Sequence, residues 1–380
     1  MTDGIIRAAR LFDGTGATAR HARAVVIRDG RIADTPALAD ARRDLPVLAE
    51  AHTVTPGLID LQVNGGGGVL FNDAPDPETL RIIAAAAARE GAAHILPTFI
   101  TDAGTRYARA IDAVRTARAT IPALLGLHLE GPFLSPDRPG IHPAEAIRPP
   151  DDADLATLSA AGLPLLVTLA PEICGVQAIH RLTKAGIRVF AGHTEARGTD
   201  MIRAEAAGLA GVTHLFNAMS QITPREPGTV GATFAARRLR AGIIADGVHV
   251  HPANLELALR ILGPERLFLV SDAMAPLGSD IRTFDLLGKT IHRRDGRLTD
   301  AAGTLAGADL GMAQAVRRMD RLTGCGLARA VQMATETPAR VMGLQHELGG
   351  LRPGMRASLT LFDEGMRPTG VLVDGVPAGA

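Results

Sequence analysis

The sequence predicts an α/β protein, a (β/α)8 TIM-like barrel joined to a small β-sandwich domain that both chain termini form. Three observations support this fold. The chain of 380 residues has room for a barrel and a smaller attached unit, since such barrels need about 250 residues. Strand-like and helix-like segments alternate through the middle of the chain. Both ends instead contain short β-branched runs that stop at turn signals.

The terminal β domain is predicted from turn dipeptides and from composition. Residues 5–12 end at Asp13-Gly14 and residues 24–28 end at Asp29-Gly30, and Asp-Gly is a strong hairpin signal after a β-branched run. Residues 357–363 and 370–375 near the other end have a similar composition. We therefore expect residues 1–54 and 345–380 to form the β-sandwich domain and residues 55–344 to form the barrel.

Eight apolar runs predict the barrel strands, at residues 57–63, 94–98, 124–130, 165–170, 187–193, 212–214, 241–246 and 267–272. Helices are expected between them, for example over residues 76–90, 102–119 and 200–207. Pro75 and Pro77 support the first of these, because proline is common where a helix begins. In such a barrel the carboxyl ends of the strands share one rim, so polar residues that follow the strands meet there.

Composition excludes several classes of partner and location. The formal net charge is zero and no basic cluster is present, whereas nucleic acids and anionic membranes both require concentrated positive charge. No apolar stretch reaches the roughly 18 residues of a membrane helix. Cys174 and Cys325 are too few for a disulfide framework, and the N-terminus lacks a signal-peptide pattern. We expect a reduced, cytoplasmic protein.

A metal site is the first functional hypothesis. Glu130, His193 and His214 end the third, fifth and sixth predicted strands. Taken singly, each is more often a solvated charge or a hydrogen-bonded surface histidine. Together at one rim they match a catalytic zinc site, in which three carboxylate or imidazole ligands leave one position open. The pattern therefore predicts one divalent cation, with zinc preferred because of the ligand types.

Further polar residues surround this predicted site. Asp272 ends the eighth strand and could serve as a general acid/base, or instead cap the turn that follows. His142 and His249 lie on loops rich in proline and glycine, which suits them to polarise a carbonyl or bind an anion. His251 is an alternative to His249 that position does not exclude. The glycine run after Asn64 allows close backbone approach, or is a flexible connector.

Six motifs in a fixed order carry a family resemblance: PGLIDLQVNGGG at 56–67, HLEGPF at 128–133, GHT at 192–194, THLFNAM at 213–219, ADGVH at 245–249 and SDA at 271–273. Together they resemble the N-acetylglucosamine-6-phosphate deacetylase family of the amidohydrolase superfamily, from about residue 56 to residue 307. A β domain built from the termini is also expected of that superfamily.

The resemblance implies a metal-dependent hydrolase that converts N-acetyl-D-glucosamine 6-phosphate into D-glucosamine 6-phosphate and acetate. It implies that Glu130, His193 and His214 are metal ligands, and that Asp272 and His142 are catalytic. The substrate contacts that it implies are Ile141, His142, Asn217, Ala218, Arg225, Asp246, His249, Leu305, Ala306 and Gly307. It also implies a phosphorylated amino sugar as partner and a homodimer in which one subunit helps to close the other's site.

The chain departs from the wider superfamily at the end of the first strand. Many amidohydrolases carry His-x-His there and bind two metals, whereas this chain has Gln62 and Asn64. Amides are poorer metal ligands than imidazoles, so we expect one divalent ion per subunit, with Zn²⁺ as the preferred ion. Whether a second ion can bind near these amides stays open.

Two alternatives remain open at this point. One is an amidohydrolase of another amide, such as N-acetylgalactosamine 6-phosphate, an N-acyl amino acid or a cyclic amide. The other is a non-catalytic binding protein with a barrel fold, since barrels host many functions.

Overall fold

The computed structural model describes residues 3–42 and 44–379. The chain begins with four strands, β1 (Gly4–Leu11), β2 (Arg20–Arg28), β3 (Arg31–Asp34) and β4 (Val47–Pro56). Asp29 and Gly30 connect β2 to β3 with φ values of 49° and 71°. Both central residues therefore adopt the left-handed conformation of a tight hairpin turn. The predicted turn at Asp29-Gly30 is confirmed, whereas Asp13-Gly14 lies in a longer connection, because β1 ends at Leu11 and β2 begins only at Arg20.

The eight predicted barrel strands are all present and lie in one parallel sheet. They are β5 (Leu58–Val63), β8 (Ala92–Ile100), β9 (Leu127–Glu130), β10 (Leu165–Leu169), β11 (Arg188–Ala191), β12 (Gly211–Val212), β13 (Arg240–Ile243) and β14 (Leu267–Leu269). A small hairpin, β6 (Gly65–Gly66) and β7 (Val69–Leu70), follows the first of them. Several strands end two or three residues before the predicted boundary, because the chain turns at the rim.

The barrel closes between its first and last strands without a regular ladder among the described residues. The segment just after β14 makes the connection instead. The backbone N–H of Asp272 donates to the carbonyl of Gln62 at 3.0 Å, and Val63 forms a single parallel bridge with Ala273. This seam lies at the rim where the predicted site is located.

Helices connect the barrel strands or follow the last of them: α1 (Pro77–Arg89), α2 (Tyr107–Ala117), α3 (Asp152–Ser159), α4 (Pro171–Lys184), α5 (Gly198–Ala206), α6 (Gly228–Ala235), α7 (Pro252–Leu262), α8 (Met312–Thr323), α9 (Leu327–Ala334) and α10 (Glu336–Met342). Helix α1 begins as predicted, and the Asp76 side chain caps it by accepting from Thr79 N at 2.8 Å. The helix expected from residue 102 begins only at Tyr107, because Gly104 has a φ of 60°, which lies in the left-handed region outside helical geometry. Among the described residues no helix has the length and apolar character needed to cross a membrane.

A four-stranded antiparallel sheet is inserted between β14 and α8, and the sequence analysis missed it. Its strands are β15 (Thr283–Leu286), β16 (Lys289–Arg294), β17 (Arg297–Thr299) and β18 (Leu305–Ala308). The turn dipeptide Asp295-Gly296 between short alternating runs was the available signal. Leu286, Ile291 and Leu298 pack with Met274 in a small core. The insertion thereby brings β18 to the barrel rim.

The C-terminal strands complete the terminal domain, as predicted. Strands β19 (Leu359–Phe362), β20 (Pro368–Val373) and β21 (Val376–Pro377) join β1–β4 in one continuous sheet, in the order β21-β20-β19-β4-β1-β2-β3. Ile6, Val25, Ile32 and Leu359 share one apolar core, so strands from both ends of the chain surround it. We keep as a proposal the domain boundaries at residues 54/55 and 344/345.

Candidate metal centre and catalytic site

Three side chains converge at the barrel rim, as the sequence predicts. Glu130 is the last residue of β9, and His193 and His214 lie two residues beyond β11 and β12. Glu130 Oε1 lies 3.2 Å from His193 Nε2 and 2.9 Å from His214 Nε2, and the two Nε2 atoms are 3.1 Å apart. All three residues are buried. This Glu/His/His group could hold a metal ion, and its donor set suits zinc.

The orientation of His193 also fits a metal ligand. Its Nδ1 lies 2.9 Å from the carbonyl oxygen of Arg138. A carbonyl only accepts, so Nδ1 carries the proton and Nε2 presents its lone pair to the cluster. Although burial opposes it, the neighbouring imidazoles of His193 and His214 hold the pKa of Glu130 well below its usual range. Glu130 is therefore ionised and can attract a cation.

Backbone turns after the strands aim these side chains. His193, His214 and Asp272 have φ values of 48°, 33° and 52°, in the left-handed region that non-glycine residues rarely adopt. Such conformations cost about 1–3 kcal/mol each and cluster at functional sites. The turn redirects each side chain towards the centre of the rim. Sequence patterns did not predict this feature, because these residues continue apolar runs that read as strand.

Asp272 lies beside the cluster and is held by two amide side chains. Its Oδ1 accepts from Asn64 Nδ2 at 2.7 Å and from Gln62 Nε2 at 3.2 Å. Gln62 Nε2 also donates to Glu130 Oε2 at 3.2 Å, so one amide bridges the two carboxylates. Burial, assisted by the negative charge of Glu130, raises the pKa of Asp272 to about 6. A carboxyl group with such a pKa suits proton transfer near neutral pH.

A cavity of about 220 Å³ lies over these residues. It brings together most of the predicted substrate contacts, namely Ile141, His142, Asn217, Ala218, His249, Leu305 and Gly307. The sequence analysis missed Ile100, Ile244 and Met274, which form an apolar part of the wall. Ile100 ends β8 and Ile244 directly follows β13, so the rim rule would have found both if it had been applied to apolar residues. A larger cavity of about 790 Å³ beside α1 contains none of the predicted site residues.

His142 is buried against the metal cluster. Its ring centroid lies 4.3 Å from that of His193, and its Nδ1 lies 2.8 Å from Thr101 Oγ1. Burial, with the neighbouring His193, lowers the pKa of His142 to about 3. The ring is therefore neutral near pH 7 and can share a hydrogen bond with a substrate carbonyl.

The structure distinguishes the positions of His249 and His251. His249 lines the cavity, whereas His251 is exposed and caps α7 by accepting from Ala253 N at 3.2 Å. Asp246 Oδ2 lies 2.6 Å from His249 Nδ1, and Asp246 Oδ1 accepts from the N–H groups of Val248 and His249. Asp246 therefore orients His249 and is not itself among the residues that line the cavity.

Two other predicted contacts lie outside the cavity. Ala306 is fully buried within β18, between Leu305 and Gly307. Arg225 is exposed and lines a separate depression between α5 and α6. Among the described residues no lysine or arginine lines the cavity. One protomer alone therefore does not supply the cation that the sequence analysis assigned to a phosphate group.

Comparison with known proteins agrees with this geometry. The sequence profile of the amidohydrolase family matches residues 53–378. An N-acetylgalactosamine-6-phosphate deacetylase from Shewanella sp. (strain ANA-3) is 42% identical over 85% of this chain and 82% of its own length. The crystal structure of N-acetylglucosamine-6-phosphate deacetylase from Pasteurella multocida superposes with a TM-score of 0.94 at 32% identity, covering 99% of both chains. A mutant N-acetyl-D-glucosamine-6-phosphate deacetylase from Mycobacterium smegmatis, in complex with N-acetyl-D-glucosamine-6-phosphate, gives a TM-score of 0.90 at 32% identity over 99% of both chains.

Proposed function

This chain belongs to the amidohydrolase family, and from that premise we propose that it hydrolyses the N-acetyl group of N-acetyl-D-glucosamine 6-phosphate, releasing D-glucosamine 6-phosphate and acetate. One observation carries the proposal. The ligand atoms of Glu130, His193 and His214 lie within 4.8 Å of one another, and Asp272 lines the same cavity. The deacetylase names of the relatives support the choice of substrate. Acetate release from the purified protein tests it.

We propose that Glu130, His193 and His214 hold one divalent ion per subunit, and that Zn²⁺ is the preferred ion. When bound, such an ion supplies Lewis acidity towards water and towards the acetyl carbonyl. The amide nitrogens of Gln62 and Asn64 face carboxylate oxygens and offer no lone pair, which supports a single ion.

The side chains around this site divide the remaining work. Asp272 accepts a proton from the attacking water and returns it to the departing amine, since it lines the cavity beside the cluster and Asn64 holds its Oδ1 in place. Neutral His142 steadies the acetyl carbonyl. Its Nδ1 faces Thr101 Oγ1, and in the tautomer with the proton on Nε2 the ring can donate to the acetyl carbonyl oxygen. His249, oriented by Asp246, binds the sugar phosphate.

We expect kcat/KM to fall as the pH drops through about 6, the pKa of Asp272, because the base must be ionised. The pH dependence of folding stability that Asp272 contributes has the opposite sign. A carboxyl group with a raised pKa destabilises the fold when ionised, so protonation of Asp272 does not unfold the protein. Steady-state rates between pH 4.5 and 8 test this expectation, with thermal denaturation measured at each pH as the control. A rate independent of pH down to 4.5 would contradict it.

A homodimer would supply the missing phosphate contact. We propose that Arg225 of the partner subunit reaches the phosphate end of this cavity, because Arg225 lines a separate depression and not the cavity of its own chain. Ile202 lines the same depression as Arg225 and is 68% exposed. Ile222, which precedes Arg225 in the same loop, is 55% exposed. Exposed apolar side chains of this kind are typical of an interaction surface. A planar guanidinium also suits two phosphate oxygens.

Arg225→Ala should raise KM for the phosphorylated sugar about tenfold or more, since a hydrogen bond to a charged group contributes about 1.5–3 kcal/mol. It should leave the weak hydrolysis of the unphosphorylated N-acetyl sugar nearly unchanged. Kinetics on both sugars check this, with Arg260→Ala, an exposed arginine of α7, as the control variant. An equal effect on both sugars would remove Arg225 from the phosphate site.

N-acetylgalactosamine 6-phosphate is the second candidate substrate, favoured by the 42% identical Shewanella relative of that name. Rates for both epimers, an N-acyl amino acid and a cyclic amide separate these possibilities. We also retain the proposal that the protein is cytoplasmic. The non-catalytic alternative predicts that purified protein binds no metal and releases no acetate from either epimer.

A further inference from the structure

A buried carboxyl group at the barrel seam has no part in the mechanism described above. Asp60 lies in β5 and is only 2% exposed. Its Oδ1 accepts two backbone hydrogen bonds, from Gln62 N at 3.2 Å and from Ser271 N at 3.1 Å. The first donor belongs to its own strand, and the second lies across the seam. The Asp60 side chain thus joins the first barrel strand to the segment after the last one.

The bonds around Asp60 replace the ladder that β5 and β14 lack. Ser271 Oγ donates to the carbonyl of Gln62 at 3.2 Å and accepts from Ala273 N at 3.1 Å. Asp272 N donates to the same Gln62 carbonyl at 3.0 Å. Asp60, Gln62 and Ser271 therefore form a compact network directly beneath the proposed general base.

This network reaches Asp272 from two sides. Ser271 directly precedes Asp272, which adopts the left-handed conformation with a φ of 52°, so the position of the Ser271 backbone decides where this turn begins. Gln62 donates through its side chain to Asp272 Oδ1. Asp60 Oδ1 accepts from the backbone N–H groups of both Gln62 and Ser271. Its loss would therefore release the residue that precedes Asp272 and the side chain that donates to Asp272 at the same time.

We propose that Asp60 is a positioning residue, which ties Ser271 to Gln62 across the barrel seam and so holds Asp272 at its catalytic geometry. This inference rests on the proposed function, because it assigns Asp60 an effect on turnover through Asp272. Burial raises the pKa of Asp60 to about 7, so the group is partly protonated near neutrality. Both backbone hydrogen bonds end on one oxygen, Oδ1, so the requirement is one acceptor oxygen at this place and not a negative charge.

Two variants separate these properties. Asp60→Asn keeps an acceptor oxygen, whereas Asp60→Leu has a similar shape and no acceptor. We expect Asp60→Leu to lower kcat on the order of 10²-fold, as small displacements of a catalytic group do, with KM and metal content unchanged. Asp60→Asn should recover kcat to within a few-fold of wild type. Glu336→Gln, at a buried carboxylate of α10 paired with Arg340, is the control and should change thermal stability without changing kcat.

A structural measurement keeps this test separate from the proposed substrate. A crystal structure of Asp60→Leu should have lost the 2.7 Å hydrogen bond from Asn64 Nδ2 to Asp272 Oδ1, whatever the protein hydrolyses. If the wild type were inactive and the variant had lost that hydrogen bond, the proposed function would be refuted and the role of Asp60 in positioning Asp272 would stand.

Wild-type kcat in Asp60→Leu, or an unmoved Asp272 in its structure, would overturn the assignment of Asp60. Should Asp60→Leu not fold, Asp60→Ala removes the same acceptor without adding methyl groups at the seam. If neither folds while Asp60→Asn does, Asp60 is structural and the proposal fails.

Discussion

Asp272→Asn is expected to lose nearly all turnover while the protein remains folded and keeps its metal. The amide keeps the shape of the carboxyl group and cannot accept the proton of the attacking water. General acid–base groups contribute about 10²–10⁴-fold to enzyme rates, and Asp272 is assigned both proton transfers, so we expect a loss at the upper end of that range. The measurements are kcat, metal content and the midpoint of thermal unfolding.

The matched control for this variant is Asp280→Asn, at an exposed carboxylate a few residues further along the same segment. It should match wild type in all three measurements. Thermal stability of Asp272→Asn should be equal or higher, because a carboxylate whose pKa is raised by burial destabilises the fold near neutral pH. Substantial turnover in Asp272→Asn would assign the proton transfers to another group.

Glu130→Gln is expected to release the metal and, with it, the activity. Glu130 is the only proposed ligand that carries a negative charge, and His193 and His214 both direct Nε2 at its Oε1. Loss of a group that merely orients a ligand already costs about 10–100-fold in metal affinity, so loss of a ligand should cost more. Elemental analysis after dialysis and calorimetric zinc titration check the result.

The control for the metal experiment is His180→Ala, at an exposed histidine of α4 that the metal hypothesis does not include. It should bind zinc as wild type does. If Glu130→Gln also retained full zinc binding and turnover, the cation would have to be held elsewhere.

The sequence predicted the parts of this structure that follow from strand order. Eight apolar runs became eight barrel strands, so the residues that follow them had to meet at one rim. The position of Glu130 at the rim followed from strand order alone, because Glu130 is the last residue of β9. The family resemblance then added the roles of loop residues such as His142, which position alone left open.

The sequence did not predict features that depend on contacts distant along the chain. The left-handed turns at His193 and His214 are an example, because they are held by bonds between loops, such as Thr194 N to the carbonyl of Ala218 at 3.1 Å. Asp246 was expected to contact substrate, yet its side chain is directed at His249. Spacing along a loop does not distinguish a residue that faces a ligand from one that orients its neighbour.

The role of Arg225 differs from that of Asp246, because the proposed contact of Arg225 with the phosphate requires a second subunit. Because Arg225 does not line the cavity of its own chain, the proposed phosphate contact depends on assembly. Measurement of the oligomeric state of wild type by light scattering tests that part of the account, and a monomer at the assay concentration would contradict the proposed contribution from the partner subunit.

The central claim is that one cation at Glu130, His193 and His214 supports deacetylation of a hexosamine 6-phosphate. Its most direct test is a zinc titration of chelator-treated protein, with acetate release from both N-acetylhexosamine 6-phosphate epimers measured at each step. We expect negligible release without metal and a maximum at about one equivalent per subunit. Full activity of the metal-free protein, or a maximum reached only at about two equivalents, would contradict it.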